Sequence, residues 1–367
     1  LRHMAEAGRN RVMVTGAFGN IGRETIASLI DEGAEVFGLD IGTKQNRKIQ
    51  AKWSRQYAFE TVWVDVSDAA AVSEAILRIA PTHIIHLASI IPPHVYVNPS
   101  RSESVNVQGT DNLLRAAEQL EPKPHFIFAS SHTVHGQRNG ARDLPLLAAD
   151  TPRKASDLYT DNKLRCEDLL QASALPWTIL RYGIIFPQLS LRMDEDALRL
   201  SFVVPLESRS HPMHVKDAGL ATARSIRKAA IGKILMIGGG EKWKQRQRYY
   251  LEKIMGAVGI GMLPDSAYYQ PDPERDESWY YNDWMDTEES QALLEYQQRD
   301  PEDYFAEVSA ELGILRYFSK LLAPLLRRKM ARLSAFYRDD PATRLPDSTL
   351  AERLARFATP GRGVIVD

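Results

Sequence analysis

The chain has a single cysteine, Cys166, in 367 residues. No intramolecular disulfide framework is available to it, and a reducing, cytoplasmic setting is expected. Nothing in the sequence around Cys166 marks a nucleophile, so it reads as a packed helix residue. No excess of one charge is present: 46 Lys and Arg stand against 47 Asp and Glu. A global basic field of the kind that binds nucleic acid is excluded. No apolar run is long enough to span a bilayer, and no signal peptide precedes the first expected strand. The opening "LRHM" reads as a cloning scar, with Met4 as the native start. The histidines His86, His132, His211 and His214 lack the i,i+4 pairing used by helical metal sites, and no metal is expected.

What is present is an alternation. With 44% hydrophobic residues the chain can bury a large core. Short β-branched runs at 11–16, 35–40, 61–66, 83–88, 125–130, 177–183 and 233–239 are apolar on both faces, as strands between two helix layers must be. Helical spacing fills the gaps at about 20–32, 68–79, 102–120, 157–173 and 216–229. This rhythm predicts an α/β protein with a doubly wound parallel sheet.

The stretch "VTGAFGNIGRETI" (14–26) follows a strand and opens a helix. Gly16 permits a tight turn, Gly19 lets amides approach a pyrophosphate, and Gly22 lets the helix pack close to the strand. Phe18, Asn20 and Ile21 complete the loop. The helix N-terminus would carry the pyrophosphate. Asp40 follows at the end of the next strand, where a carboxylate accepts from a ribose hydroxyl and repels a 2′-phosphate. NAD is the expected cofactor. Lys44, Arg47 and Lys48 could hold the phosphate of NADP, but read better as solvated loop charges.

These motifs, and others in the right order, resemble the extended short-chain dehydrogenase/reductase family, also called the NAD-dependent epimerase/dehydratase family. "TGAFGNIG" matches TGxxGxxG, and "YTDNK" (159–163) matches YxxxK. The resemblance implies a Rossmann domain over 4–187 and 212–239, and a smaller C-terminal α-rich substrate domain over 188–211 and 240–312. Residues 313–367 remain as an amphipathic helix and tail. It implies that Asp65 and Val66 meet the adenine, that Leu87, Ala88 and Ser89 pass under the cofactor, and that Asn106 opens a nearby helix. Asn106 and Thr110 are expected to organise backbone. Tyr182, Gly183 and Ile184 would lie against the nicotinamide. Tyr159 would be the acid/base, and Lys163 would tune it and hold the ribose. Ser131 would hydrogen-bond the substrate oxygen, with Thr133 a second donor and Ile91 a wall. A free tyrosine titrates near pH ~10, so a nearby ammonium is needed to make it a base.

The pattern thins in places. His135 stands where the family has Tyr and reads as structural. Only residues 188–210 separate "LRYGIIFP" from "HPMHV", with no glycine-rich substrate strand, and Ser210 replaces the arginine that grips a substrate diphosphate. "SHTV" offers no acid beside Ser131, which lowers a dehydratase reading. The expected substrate is therefore a small carbinol or carbonyl compound outside the sugar nucleotides. A nucleotide-sugar epimerase/dehydratase and a non-catalytic NAD(P)-binding regulator are the alternatives. Ile90–Tyr96 and the aromatic stretch 268–284 suit a ring or acyl chain, although Trp279 and Trp284 could equally pack a core. Asp217 reads as a helix cap. Asp286 with Glu289, and Asp300 with Pro301, read as helix starts. The segment 314–333 is apolar and basic. It is expected to pack on the body or on a partner in a homodimer, with an anionic membrane surface the less favoured reading.

Overall fold

A computed structural model describes residues 10–187, 195–334 and 336–337. The Met4 start and the tail from Asp339 lie outside the described residues. All seven expected strands form: β1 (Arg11–Thr15), β2 (Glu35–Asp40), β3 (Glu60–Trp63), β4 (His83–His86), β5 (His125–Ser131), β6 (Trp177–Tyr182) and β7 (Lys233–Ile237). They make one sheet in the order β7-β6-β5-β4-β1-β2-β3, and each neighbouring pair is parallel. The order reverses between β1 and β4, which opens the crevice where such sheets bind ligands. β4 ends at His86, and the Leu87 amide is shared between the Thr15 carbonyl and the Thr15 hydroxyl.

Period-two alternation sends neighbouring strand residues to opposite faces. Val12 and Val14 enter one core, with Leu29 of α1 (Asn20–Asp31) and Ala221 of α8 (Val215–Arg224). Met13 enters the other. It meets Ile76 of α3 (Ala69–Ile79), Leu113 of α5 (Gly109–Ala117) and Leu170 of α6 (Leu158–Ala172). A short helix α4 (Pro99–Glu103) runs into α5 through a π-helical turn, Ser104–Gln108. Two acids cap their helices: Asp68 accepts from the Ala70 and Ala71 amides, and Asp157 from the Thr160 amide.

Lys44, Arg47 and Lys48 are not in a loop. They lie on α2 (Lys44–Trp53), capped by Thr43, whose side chain accepts from the Asn46 amide. No residue of α2 is buried, so the apolar stripe that announces a helix is missing.

The second lobe is built on α7 (Glu195–Val203), α9 (Gln247–Val258), α11 (Pro301–Leu312), α12 (Leu315–Leu321) and α13 (Ala323–Ala331). Its main core gathers Phe202, Leu251, Met255, Leu263, Tyr268 and Met330. The α10 helix (Glu288–Leu294) departs from this lobe. Leu294 and Tyr296 join the first core of the sheet, and the Ser290 hydroxyl donates to the Met236 carbonyl at 2.6 Å. Its start also differs from the expected capping box. Thr287 is the cap residue, Asp286 accepts from the Glu288 amide, and Glu289 pairs with Lys233. At α11 the expected start holds: Asp300 precedes Pro301, and its amide donates to Asp303 at 2.8 Å. Asp217 is not a cap either. His214 caps α8, while Asp217 accepts from the Gln298 and Arg299 amides.

Four buried histidines are held neutral by burial. It lowers His86 to about 3 and His125, His135 and His211 to about 4, from an ordinary 6.5. Below the ordinary value the unfolded chain takes up protons that the folded chain refuses. Stability is therefore full above about pH 6.5 and is lost as pH falls toward 4. Urea midpoints measured between about pH 7 and pH 5 should fall steadily, and a flat profile would contradict this account.

Candidate active site

The C-terminal ends of β1, β2, β4, β5 and β6 meet along one edge of the sheet. The loop after β1 is shaped by its glycines. Gly16 has φ +66°, and a Cβ there would lie 2.8 Å from the Ala88 nitrogen. A Cβ on Gly22 would lie 2.2 Å from the Gly16 carbonyl oxygen. Gly19 precedes α1 with no side chain to cap it, and no acid stands in the first turn. The first amides of α1 therefore have no side-chain acceptor, as an anion-binding helix start requires. Asp40 accepts from the Phe18 amide at 2.9 Å and the Ile41 amide at 2.8 Å. Burial nevertheless raises its carboxyl above the ordinary value.

Leu87 and Ala88 donate to the Thr15 hydroxyl, which lays the 86–89 stretch directly over Gly16. Asn106 sits in the π-helical turn and clamps the following residues. It accepts from the Ile90 amide at 2.7 Å and from Ser89, and donates to the Ile90 carbonyl. Asp65 at the far end is engaged by Arg101 and Ser67. Val66 turns into the second core. Phe18 packs its ring 5.3 Å from that of Trp63, while Asn20 accepts from Arg23.

Ser131, Tyr159 and Lys163 come together where β5 meets α6. The Ser131 side chain lies close enough to Tyr159 to favour its phenolate, and its hydroxyl accepts from the Thr133 hydroxyl at 3.0 Å. Lys163 lies 5.7 Å from the Tyr159 ring centre, and its ammonium donates to the Ala129 carbonyl at 2.7 Å. Burial pushes the Lys163 ammonium down to about 8. Burial also raises the Tyr159 phenol well above its ordinary value, opposed by Ser131 and assisted by the Asp157 charge. The Lys163 ammonium is turned to a backbone carbonyl, and burial dominates the shift of the phenol. A phenol held in its acid form, with a serine hydroxyl beside it, is suited to giving a proton to a carbonyl oxygen.

The Tyr182 side chain points into the sheet core. Its ring is buried in the first core and its hydroxyl bonds Thr222 at 2.7 Å. Gly183 is favoured by packing, since a Cβ there would lie 2.7 Å from the His211 carbonyl oxygen. The Ile184 carbonyl accepts from the Met213 amide. Ile91 is exposed at the mouth. The four histidines are spread over separate partners: His86 on Thr15 and Thr110, His132 on the Tyr182 carbonyl, His211 on Gly239 and His214 on Glu307.

Two features escaped the sequence reading. The first is Asp157, which caps α6 two residues before Tyr159 and also accepts from the hydroxyls of Tyr96 and Tyr281. Tyr280 lies close enough for the charges of Asp157 and Tyr159 to add to the burial that raises its phenol. The tyrosines therefore border the catalytic pair. Trp279 and Trp284 are structural, and their indoles donate to the Asp272 and Gln245 carbonyls. The second is Glu167, one helical turn beyond Lys163. It forms a bidentate pair with Arg181, at 2.9 and 2.6 Å, and accepts from Ser130 at 2.6 Å. Glu167 and Arg181 are 0% and 1% exposed. Burial opposes the Glu167 charge, but the Arg181 bonds hold its carboxyl below the ordinary range.

Residues 12–188 match the model of the NAD dependent epimerase/dehydratase family. Over these residues the chain is similar to that family. Among curated relatives, a UDP-glucuronate 4-epimerase of Arabidopsis thaliana is 30% identical over 164 residues, covering 43% of this chain and 37% of the relative. A 3-beta-hydroxysteroid dehydrogenase of Mycolicibacterium neoaurum is likewise 30% identical, over 43% of this chain and 41% of its own. The match thus spans well under half the length of either relative. Among solved structures, the UDP-glucose 4-epimerase of Thermus thermophilus in complex with NAD aligns with a TM-score of 0.63 and 22% identity, over 82% of this chain and 98% of its own. The Bordetella bronchiseptica enzyme WbmG, in complex with NAD and UDP, gives 0.65 and 18%, over 83% and 94%. Both share their fold with this chain.

Replacing Glu167 by Ala would leave the Arg181 guanidinium buried without its counter-charge. Urea unfolding should show a loss of about 3–5 kcal/mol. A loss below about 1 kcal/mol would mean that the pair does not anchor α6.

Proposed function

We propose that the chain is an NAD-dependent oxidoreductase acting on a carbinol or carbonyl carbon of a small substrate outside the sugar nucleotides. The observation that carries the chemistry is the meeting of Ser131, Tyr159 and Lys163 where β5 meets α6, with the Lys163 ammonium 5.7 Å from the Tyr159 ring centre, beside the glycine crevice. The uncapped start of α1, the glycine turn and Asp40 fit a dinucleotide, and Gly16, Gly19, Gly22 and Asp40 would hold it. NAD, when bound, supplies the hydride acceptor or donor. Ser131 orients the substrate oxygen. Tyr159 gives that oxygen its proton in the reducing direction and takes it in the oxidising one. In the oxidising direction the Lys163 charge favours the phenolate.

The substrate class rests on the fate of the cations. Arg209, the residue nearest the missing diphosphate grip, bonds Asp283 at 2.6 Å and the Leu144 carbonyl at 3.0 Å. Arg138 shares the same carboxylate. Ser210 bonds Gln247. No arginine at 209 or 210 is left for a diphosphate, while Tyr96, Tyr280 and Tyr281 offer an aromatic border. The relatives include both a sugar-nucleotide epimerase and a steroid dehydrogenase, and the second is the better precedent for such a border. An epimerase remains the second reading, because the same three residues serve it.

Tyr159→Phe keeps the ring and removes only the hydroxyl. Steady-state kinetics with NADH and a panel of carbonyl compounds should show turnover reduced roughly 10²–10⁴-fold with folding intact. A variant keeping about a third of wild-type turnover would remove Tyr159 from the chemistry.

Thermal shift separates the two substrate readings. UDP-glucose and UDP-glucuronate should stabilise the protein far less than NAD does, because only an occupied site shifts the melt. A clear shift with either sugar nucleotide would favour the epimerase reading.

A further inference from the structure

The segment expected to be one amphipathic helix is two, α12 and α13, parted at Leu322 with Pro324 in the first turn of α13. The pair is firmly seated on the lobe. Ala323, Met330 and Ala331 are buried, and Leu326 packs against the core that holds Leu251 and Met255. On the other side, a Cβ on Gly259 would lie 2.5 Å from the Arg316 carbonyl oxygen, so the turn after α9 presses against α12. The apolar residues expected to pack inward nevertheless stay outside. Ile314 and Leu321 are 71% and 77% exposed, and Leu315, Phe318, Leu322 and Leu325 are exposed with them.

The charge on this face is one-sided. Residues 313–333 carry Arg316, Lys320, Arg327, Arg328, Lys329 and Arg332 and no acid, in a chain whose overall charge is near zero. All six are exposed, and among the described residues none has an acidic partner. A second copy meeting this face by two-fold symmetry would bring the same cations against themselves. An anionic bilayer surface satisfies both halves of the pattern: the apolar tips enter the acyl boundary while the cations meet headgroup charges. We infer that the α12–α13 face docks on anionic membrane surfaces, lying in the interface without crossing it. No described helix is long and apolar enough to span a bilayer. Because the helices are already folded and seated, docking needs no ordering of the segment.

Vesicle flotation of the full chain tests this. The protein should float with vesicles of equimolar phosphatidylcholine and phosphatidylglycerol at low salt. It should stay behind with phosphatidylcholine alone, and be released by high salt. The double variant Leu321→Ser with Leu325→Ser should lose flotation. Arg327→Glu with Arg328→Glu should weaken it by more than about tenfold. All four positions are exposed, so melting curves should remain at wild-type values and exclude misfolding. Wild-type protein that floats with neither vesicle, or equally with both, would overturn the inference. So would lipid-independent self-association, seen by sedimentation and abolished by the serine variants, because a second copy would then cover the face.

Discussion

The catalytic geometry hangs on one buried ion pair, Glu167 with Arg181. Two charges removed from water are costly unless every bond is made. Here the carboxylate receives two guanidinium bonds and the Ser130 hydroxyl, while the remaining guanidinium nitrogen reaches the Ala149 carbonyl. The pair ties α6 to β5 and β6 at one point. Lys163 precedes Glu167 by four residues and Tyr159 by eight, so all three share one helix face. Fixing Glu167 fixes the rotation of α6 and with it the approach of Tyr159 to Ser131. It also decides which serine is free: Ser130 is held by the carboxylate, and Ser131 is left for the phenol.

A second junction joins the lobes. Asp157 caps α6 with one oxygen, and its other oxygen receives hydroxyls from Tyr96, in the segment after β4, and Tyr281, in the second lobe. The stretch after Tyr281 is stitched to the first lobe by backbone bonds between Leu147 and both Trp284 and Asp286. The helix bearing the catalytic tyrosine is thus capped by the same carboxylate that positions the aromatic border. Dehydration shifts both groups: the phenol is moved up and the ammonium down, because burial penalises charge more than the neighbours relieve it.

Much of this was legible in the chain. Seven apolar runs became seven parallel strands, and the glycine spacing placed the phosphate turn and Asp40 at the crevice. Ser131, Tyr159 and Lys163 came together as their motifs implied, and Asn106 organised the backbone beside them. These readings succeed because they depend on local constraints: a period of two, a period of 3.6, or a glycine where no Cβ fits.

What the pattern could not reveal depended on distant partners. The Tyr182 hydroxyl found Thr222 forty residues on, which a linear motif cannot show. Arg209, one position from Ser210, is held by Asp283 across the second lobe, which the linear sequence could not show. The exposed α2 helix was invisible for want of an apolar stripe. The sequence alone determined the sheet and the glycine turn, since each follows from short-range sterics and burial periodicity. Only the tertiary structure decided which charges were already paired, which tyrosine faced the site and which way the ammonium turned, because those outcomes are set by desolvation and by contacts between residues far apart in the chain.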